Sequence, residues 1–193
     1  NRFLPGQRGL GRNSDEGIYF ALTHGDALFI VLDSVHPSRE QTAWLAETLK
    51  QAPRSTRWRF AFFHHPIYPC SPKAPWAAGL PWARLFEQHR VDIVFTGHTH
   101  TFERTCPMAR GRCRPGGVVY LNSSGGAAET RAVDRQRVAV AGSDRYDCRE
   151  ILAQGIGRWH HFCRVALAGD RLEGRCYGDD ATDRPRVTFR LHK

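Results

Sequence analysis

Gly97-His98-Thr99-His100-Thr101-Phe102-Glu103-Arg104-Thr105 follows directly on the apolar run Val91 to Phe95, and its reading decides the fold. The run has the length and β-branched, aromatic character of a buried strand, ending at Thr96, Gly97 and His98. Upstream, Arg57 to Phe63 is a second strand, rich in aromatics, that ends in His64 and His65 just before Pro66. Between the two lie a Pro- and Ala-rich loop and a helical pattern through Trp82, Leu85 and Phe86. Strand, helix, strand predicts a parallel crossover.

Ligands of open α/β sheets bind beyond the carboxyl ends of the strands, so His64, His98 and His100 are expected to converge there. Residues i and i+2 of an extended chain share a face and lie roughly 6.6 Å apart. That spacing lets His98 and His100 each reach a different ion of a metal pair about 3.5 to 4 Å apart. Gly97, without a Cβ, is expected to carry the sharp bend as the chain leaves the strand. Neutral imidazole suits Zn, Fe and Mn.

Working outward, Gly17 to Leu22 and Ala27 to Asp33 read as a hairpin around His24, Gly25 and Asp26. Ser38, three residues before Gln41, is a capping-box signal for a helix from about Arg39 to about Gln51. Val118 to Asn122 is a strand closed by a bend at Ser123 to Gly126, and His161 to Leu191 reads as antiparallel strands. Glu129 to Gly157 is polar and irregular and reads as a long surface loop bordering the site, as does the loop from Pro69 to Pro81. The sum is one α/β domain over residues 1–193, a mixed sheet in layers with antiparallel strands at its end. Among the other histidines, His24, His36, His89 and His192 read as surface residues. His160 and His161 start a strand, one facing in and one out, and read as structural. His65 is balanced between touching substrate and packing.

Composition narrows the function classes. The 193 residues are 41% hydrophobic and 24% charged, which excludes disorder, collagen-like repeats and coiled coil. No apolar run has the length of a bilayer span, and Asn1 to Gly11 is polar and Gly-rich, unlike a signal peptide. Lys plus Arg is 28 against 19 for Asp plus Glu, a formal charge of 28 − 19 = +9. A positive field attracts phosphorylated substrates or nucleic acid. The arginines are scattered, however, which is the pattern of a solvated surface and argues against nucleic acid as a partner. The six cysteines form an even set that suits disulfides in an oxidising compartment, with free thiols as the alternative. Cys106 and Cys113 bracket a short turn, Cys163 and Cys176 sit symmetrically about a Gly169-Asp170 hairpin turn, and Cys70 and Cys148 are left for each other.

Phe62-Phe63-His64-His65-Pro66-Ile67-Tyr68 and the opening Gly-His-x-His stretch, continued as x-aromatic-Glu-Arg, resemble the last two motifs of the calcineurin-like metallophosphoesterases, in the branch of the purple acid phosphatases. Gly25 to Ser34 resembles the strand before that family's helix, so the resemblance covers nearly the whole chain. It implies an α/β sandwich in which His64 and His98 bind one metal and His100 the other. It also implies a phosphorylated small molecule or other phosphoester as substrate, two divalent or trivalent ions (Fe, Zn or Mn) in the complete enzyme, and a secreted or periplasmic setting. In that family a hydroxide attacks phosphorus in line while the two cations neutralise developing charge. The family's earlier motifs, D-x-H, G-D-x-x-Y and G-N-H-D/E, do not occur, and Asp26 sits in Gly-Asp-Ala-Leu-Phe without the required tyrosine. The chain therefore reads as the C-terminal portion of such a domain, its site awaiting an N-terminal segment or a second chain. Three neutral histidines without an anionic ligand are expected to hold at most one weakly bound ion. The alternative is a truncated or degenerate fold that has kept only a binding role.

Overall fold

Residues 2–9, 19–71, 81–126, 129–141, 144–179 and 183–193 are described by the computed structural model. The elements along the chain are β1 Arg2–Gly9, β2 Tyr19–His24, β3 Ala27–Val31, α1 Arg39–Lys50, β4 Trp58–Phe62, α2 Trp82–Gln88, β5 Ile93–Thr96, β6 Phe102–Thr105, β7 Met108–Ala109, β8 Arg112–Cys113, β9 Val119–Ser123, β10 Val138–Ala141, β11 Asp144–Asp147, α3 Cys148–Ile151, β12 Leu152–Ile156, β13 His161–Ala168, β14 Arg171–Gly178 and β15 Val187–His192. Gly17, Ile18 and the stretch 72–80 of the Pro- and Ala-rich loop lie outside the described residues.

The main sheet runs β1-β2-β3-β4-β5-β9-β6-β12. Its middle is parallel, β3 with β4, β4 with β5 and β5 with β9, and its flanks are antiparallel. The parallel strands are covered on both sides, which is why they read as almost continuous apolar runs. Ala61, Phe63 and Val94 face the helices and pack with Leu45 and Leu49 of α1 and Trp82 and Phe86 of α2. Trp58, Phe60, Ile93 and Leu121 face the other way, onto Leu172, Val187 and Phe189 of the three-stranded sheet β13-β14-β15. The Trp58 indole N–H also donates to the Gly169 carbonyl at 2.9 Å, tying the tip of the β13–β14 hairpin to the main sheet. Among the described residues, no helix is long and apolar enough to cross a membrane.

Helix α1 starts as its sequence predicts, with Ser38 Oγ accepting the Gln41 N–H at 3.0 Å. The capping box is only half formed. The Gln41 side chain instead brackets Asp33, accepting its N–H (2.7 Å) and donating to its carbonyl (2.9 Å), so it locks the end of β3 to the helix. All three cysteine pairs are disulfides, Cys70–Cys148, Cys106–Cys113 and Cys163–Cys176, the last between directly opposed residues of β13 and β14.

The stretch from Glu129 to Gly157 corrects the sequence reading. It is not one irregular loop: it contains the β10–β11 hairpin, α3 and β12, and β12 pairs with β6 as the edge of the main sheet. Tyr146, Cys148, Ile151 and Leu152 are buried in the helix-side core. These buried positions are separated by exposed arginines and carboxylates in elements of four or five residues, too short for a period of 2 or 3.6 to stand out.

Candidate metal centre

The two histidine-bearing strand ends are joined by backbone hydrogen bonds. Phe63 N–H donates to the Phe95 carbonyl (3.2 Å) and Gly97 N–H to the His64 carbonyl (2.9 Å), continuing the parallel ladder one step beyond β4 and β5. The chain then turns at His98. Thr99 N–H reaches back to the Gly97 carbonyl at 2.8 Å, and His98 has φ 70°, which together make a γ-turn centred on the histidine. His100 is left-handed too, at φ 59°.

This overturns two expectations. Gly97 does not carry the bend: its φ is not positive, and a Cβ there would meet the His64 ring at 3.5 Å, an ordinary contact. Nor do His98 and His100 share the face of an extended strand. They are presented by two left-handed residues, a conformation that non-glycine residues adopt rarely and that concentrates at functional sites.

His64 Nε2 and His98 Nδ1 lie 3.1 Å apart, with the rings edge to face. His65 is the third member of the cluster. Its ring centroid is 4.5 Å from that of His98, and each of the three rings offers a nitrogen within 4.8 Å of the others. His65 is gripped by Ser34 beyond β3: its N–H donates to Ser34 Oγ (2.9 Å), and its Nδ1 sits 3.1 Å from that Oγ and 3.2 Å from the Ser34 carbonyl. His100 stands outside this group of three. Its Nδ1 is buried with no hydrogen-bond partner among the described residues. Partial burial, and then the neighbouring imidazoles, hold the proton affinities of His64 and His98 below the usual histidine value; Arg131 adds to the effect at His98. Both rings are thus poised as neutral nitrogen donors, and their spacing fits two ligands on one ion.

Beneath the turn lies a buried polar chain. The Asn122 amide nitrogen faces the carbonyls of Gly97 (2.8 Å) and Thr96 (3.2 Å), while its oxygen faces the hydroxyls of Thr99 and Thr101. The opposite orientation would set the amide oxygen against two carbonyl oxygens. Thr99 Oγ1 is 2.7 Å from Thr101 Oγ1, which is 2.6 Å from Glu103 Oε1, and Glu103 Oε2 accepts the Cys70 N–H at 2.6 Å. Thr101 Oγ1 donates to Glu103 Oε1, so the carboxyl closes the chain that runs from Asn122 through the two threonines. Burial raises the proton affinity of Glu103 and outweighs the opposing bonds from Thr101 and Cys70 and the nearby charge of Arg137. Burial thus favours the neutral acid at this position.

The remaining histidines follow their sequence readings in part. His161 is buried and stacks on Trp159 at 4.4 Å, while His160 is half-buried with Nδ1 3.1 Å from the Gly125 carbonyl. His36 is exposed and contacts Asp33. Sequence reasoning missed Asn122, Glu103 and Arg131 as parts of the site. Arg131 is placed by its backbone, which donates to the His100 carbonyl (2.8 Å) and accepts the Arg158 N–H (2.8 Å).

The family model for calcineurin-like phosphoesterases matches residues 6–102, half of the chain. The chain belongs to that family. Its similarity falls on the purple acid phosphatase branch. It is 32% identical over 124 residues to a phosphoenolpyruvate phosphatase of Allium cepa, covering 60% of this chain and 24% of that protein. It is 31% identical over 129 residues to purple acid phosphatase 23 of Arabidopsis thaliana, covering 63% and 28%. Among solved structures, purple acid phosphatase PPD1 from yellow lupin (Lupinus luteus) superimposes with a TM-score of 0.68 at 15% identity, covering 92% of this chain and 33% of that one. The chain thus spans about a quarter of the length of the curated relatives it matches.

Proposed function

We propose that this chain supplies the histidine half of a binuclear site that hydrolyses phosphoesters, with His64 and His98 at one ion and His100 at the other. The observation that carries the reading is the approach of His64 Nε2 to His98 Nδ1 at 3.1 Å, beyond the carboxyl ends of two neighbouring parallel strands. Two bound cations would supply an activated hydroxide and neutralise the charge that develops on the phosphoryl oxygens. The chain's own residues do the rest. The γ-turn at His98 and the Asn122 amide beneath it hold the ligand geometry before any ion arrives, and the depressed proton affinities of His64 and His98 keep their lone pairs free near neutral pH. Arg131, whose backbone is fixed to the His100 carbonyl, has its positive charge within electrostatic range of His98, where it would help attract an anionic phosphoester.

The carboxylate ligands that would offset the metal charge come, on this reading, from an N-terminal segment or a second chain. The three disulfides, with the relatives, support an extracytoplasmic setting. The alternative is a truncated or degenerate domain of the same fold that binds without turning over. One experiment separates the two. The complete reading frame is expressed and assayed with p-nitrophenyl phosphate in Zn(II), Mn(II) and Fe(III), beside its His98→Ala variant. The hydrolase reading expects turnover that falls together with metal content in the variant. Unchanged metal content and turnover in His98→Ala would contradict the assignment, and a complete frame that binds metal without turnover would favour the binding role.

A further inference from the structure

We propose that His64, His65 and His98 form a three-histidine site for a single zinc-like divalent cation, complete within this chain, with His100 outside it. The inference rests on reading His64 and His98 as metal ligands and adds His65, for which the sequence left substrate contact and packing in balance.

Three observations carry it. The first is proximity: the three side chains each present a nitrogen within 4.8 Å of the other two, and the His64–His98 pair is at 3.1 Å. Two imidazoles on one tetrahedral zinc, with Zn–N of about 2.0 to 2.1 Å, place their nitrogens about 3.3 Å apart. One edge of the site is therefore already at ligand spacing. The second is the state of the His65 ring. Its Nδ1 is engaged by Ser34, 3.1 Å from the hydroxyl, which can donate or accept, and 3.2 Å from the carbonyl, which can only accept. In the tautomer with the hydrogen on Nδ1, the ring donates to that carbonyl and Nε2 carries the free lone pair. A ligating histidine whose other nitrogen donates to a backbone carbonyl is the usual supporting arrangement of metal sites, because it fixes the tautomer and the ring direction. The Ser34 hydroxyl, which also accepts the His65 backbone N–H at 2.9 Å, holds the residue at both ends.

The third observation is chemical. Three neutral nitrogens with a fourth position open match the ligand set of the three-histidine type of mononuclear catalytic zinc site, which has no carboxylate ligand. A site built of these three rings draws on none of the acidic residues that a binuclear centre takes as its bridge. His65 would then be a ligand when this chain stands alone. The open position would accept water or the oxygen of an anion such as inorganic phosphate.

The test uses the 193-residue chain with its disulfides intact. Co(II), a spectroscopic stand-in for Zn(II), is titrated and followed by visible d–d absorption, and Zn(II) affinity is measured by competition with a chromophoric chelator. The expectation is one equivalent bound, at least about a tenfold loss of affinity in His65→Ala, a smaller loss in Ser34→Ala, and affinity within about twofold of wild type in His100→Ala. On the unmutated chain, long-range ¹H–¹⁵N spectra should show the His65 Nε2 resonance moving on addition of Zn(II), which keeps the test sound if a variant misfolds. Wild-type affinity in His65→Ala, or a His65 Nε2 that does not shift, overturns the proposal. If His64→Ala and His98→Ala still lose the ion in that case, the phosphoesterase reading survives it; if neither does, both fall together.

Discussion

Replacing Glu103 by glutamine tests whether burial holds the acid beneath the site in its neutral form. Glu103 is 3% exposed, and its two oxygens contact Cys70 N–H and Thr101 Oγ1, each at 2.6 Å. If the carboxyl is protonated in the native state, glutamine is its near-isostere: the amide oxygen accepts from Cys70, and one N–H donates to Thr101. The second amide N–H has no designated acceptor and costs up to about 1 kcal/mol. That offset is the same at every pH, so the slope decides. A carboxyl whose native proton affinity is raised contributes stability that is full below its unfolded pKa near 4.5 and is lost as pH rises through its native value. In that window wild type loses up to about 1.4 kcal/mol per pH unit relative to Glu103→Gln. The assay is urea unfolding of both proteins between pH 5 and pH 8, taking the difference in unfolding free energy at each pH. The expected difference moves in favour of the glutamine variant as pH rises and then levels off. A variant that is less stable by a constant 1 to 3 kcal/mol across the range would refute the reasoning, because that is the signature of an ionised acceptor turned into a misplaced donor.

Removing Cys70–Cys148 by a double alanine substitution releases a loop of sequence separation 78 and is expected to cost about 4.5 kcal/mol by chain entropy, against about 2.4 kcal/mol for Cys106–Cys113 with separation 7; denaturant midpoints in the reverse order would count against it. His64, His98 and His161 are all held below the ordinary histidine proton affinity, chiefly by burial. The stability gained from keeping them neutral is full above about pH 6.5 and is lost as pH falls through their native values, so chemical denaturation midpoints should drop on acidification and His64→Gln should flatten that dependence. Gly97→Ala should change stability by no more than about 1 kcal/mol and leave Zn(II) affinity within threefold, since its Cβ would find ordinary contacts; loss of the fold would restore Gly97 as the bending residue.

The parallel centre of the sheet was legible because burial on both faces leaves uninterrupted apolar runs, as in Arg57 to Phe63 and Val91 to Phe95, and because each run ends at a histidine. The helix at Ser38 was legible from its cap. The disulfides were legible from turn symmetry at Gly169 and Gly111. What was not legible depends on contacts between residues distant in the chain. Nothing near Asn122 announces that its amide will fold under residues 96–101, and nothing near Ser34 announces a grip on His65, 31 residues away. Strand β12 escaped notice for a different reason. It lies at the sheet edge, where one row of partners suffices and the pattern of buried positions is short.

The turn at the site carries a physical consequence of its own. Two left-handed histidines cost about 1 to 3 kcal/mol each relative to extended or right-handed backbone, so an isolated Gly-His-x-His segment would not hold this shape. What offsets the cost is Asn122, whose amide ties the carbonyls of Thr96 and Gly97 to the hydroxyls of Thr99 and Thr101 from one buried position at the end of β9. Each such bond, once buried, costs about 1 to 3 kcal/mol to leave unmade, which is the scale of the strain. The ligand geometry is thus set by a neighbouring strand and by the buried acid of β6, through Thr99 and Thr101 on the inner side of the turn, while His98 and His100 alternate with them. The threonines between the histidines are the anchored half of the motif, and the imidazoles take their directions from them.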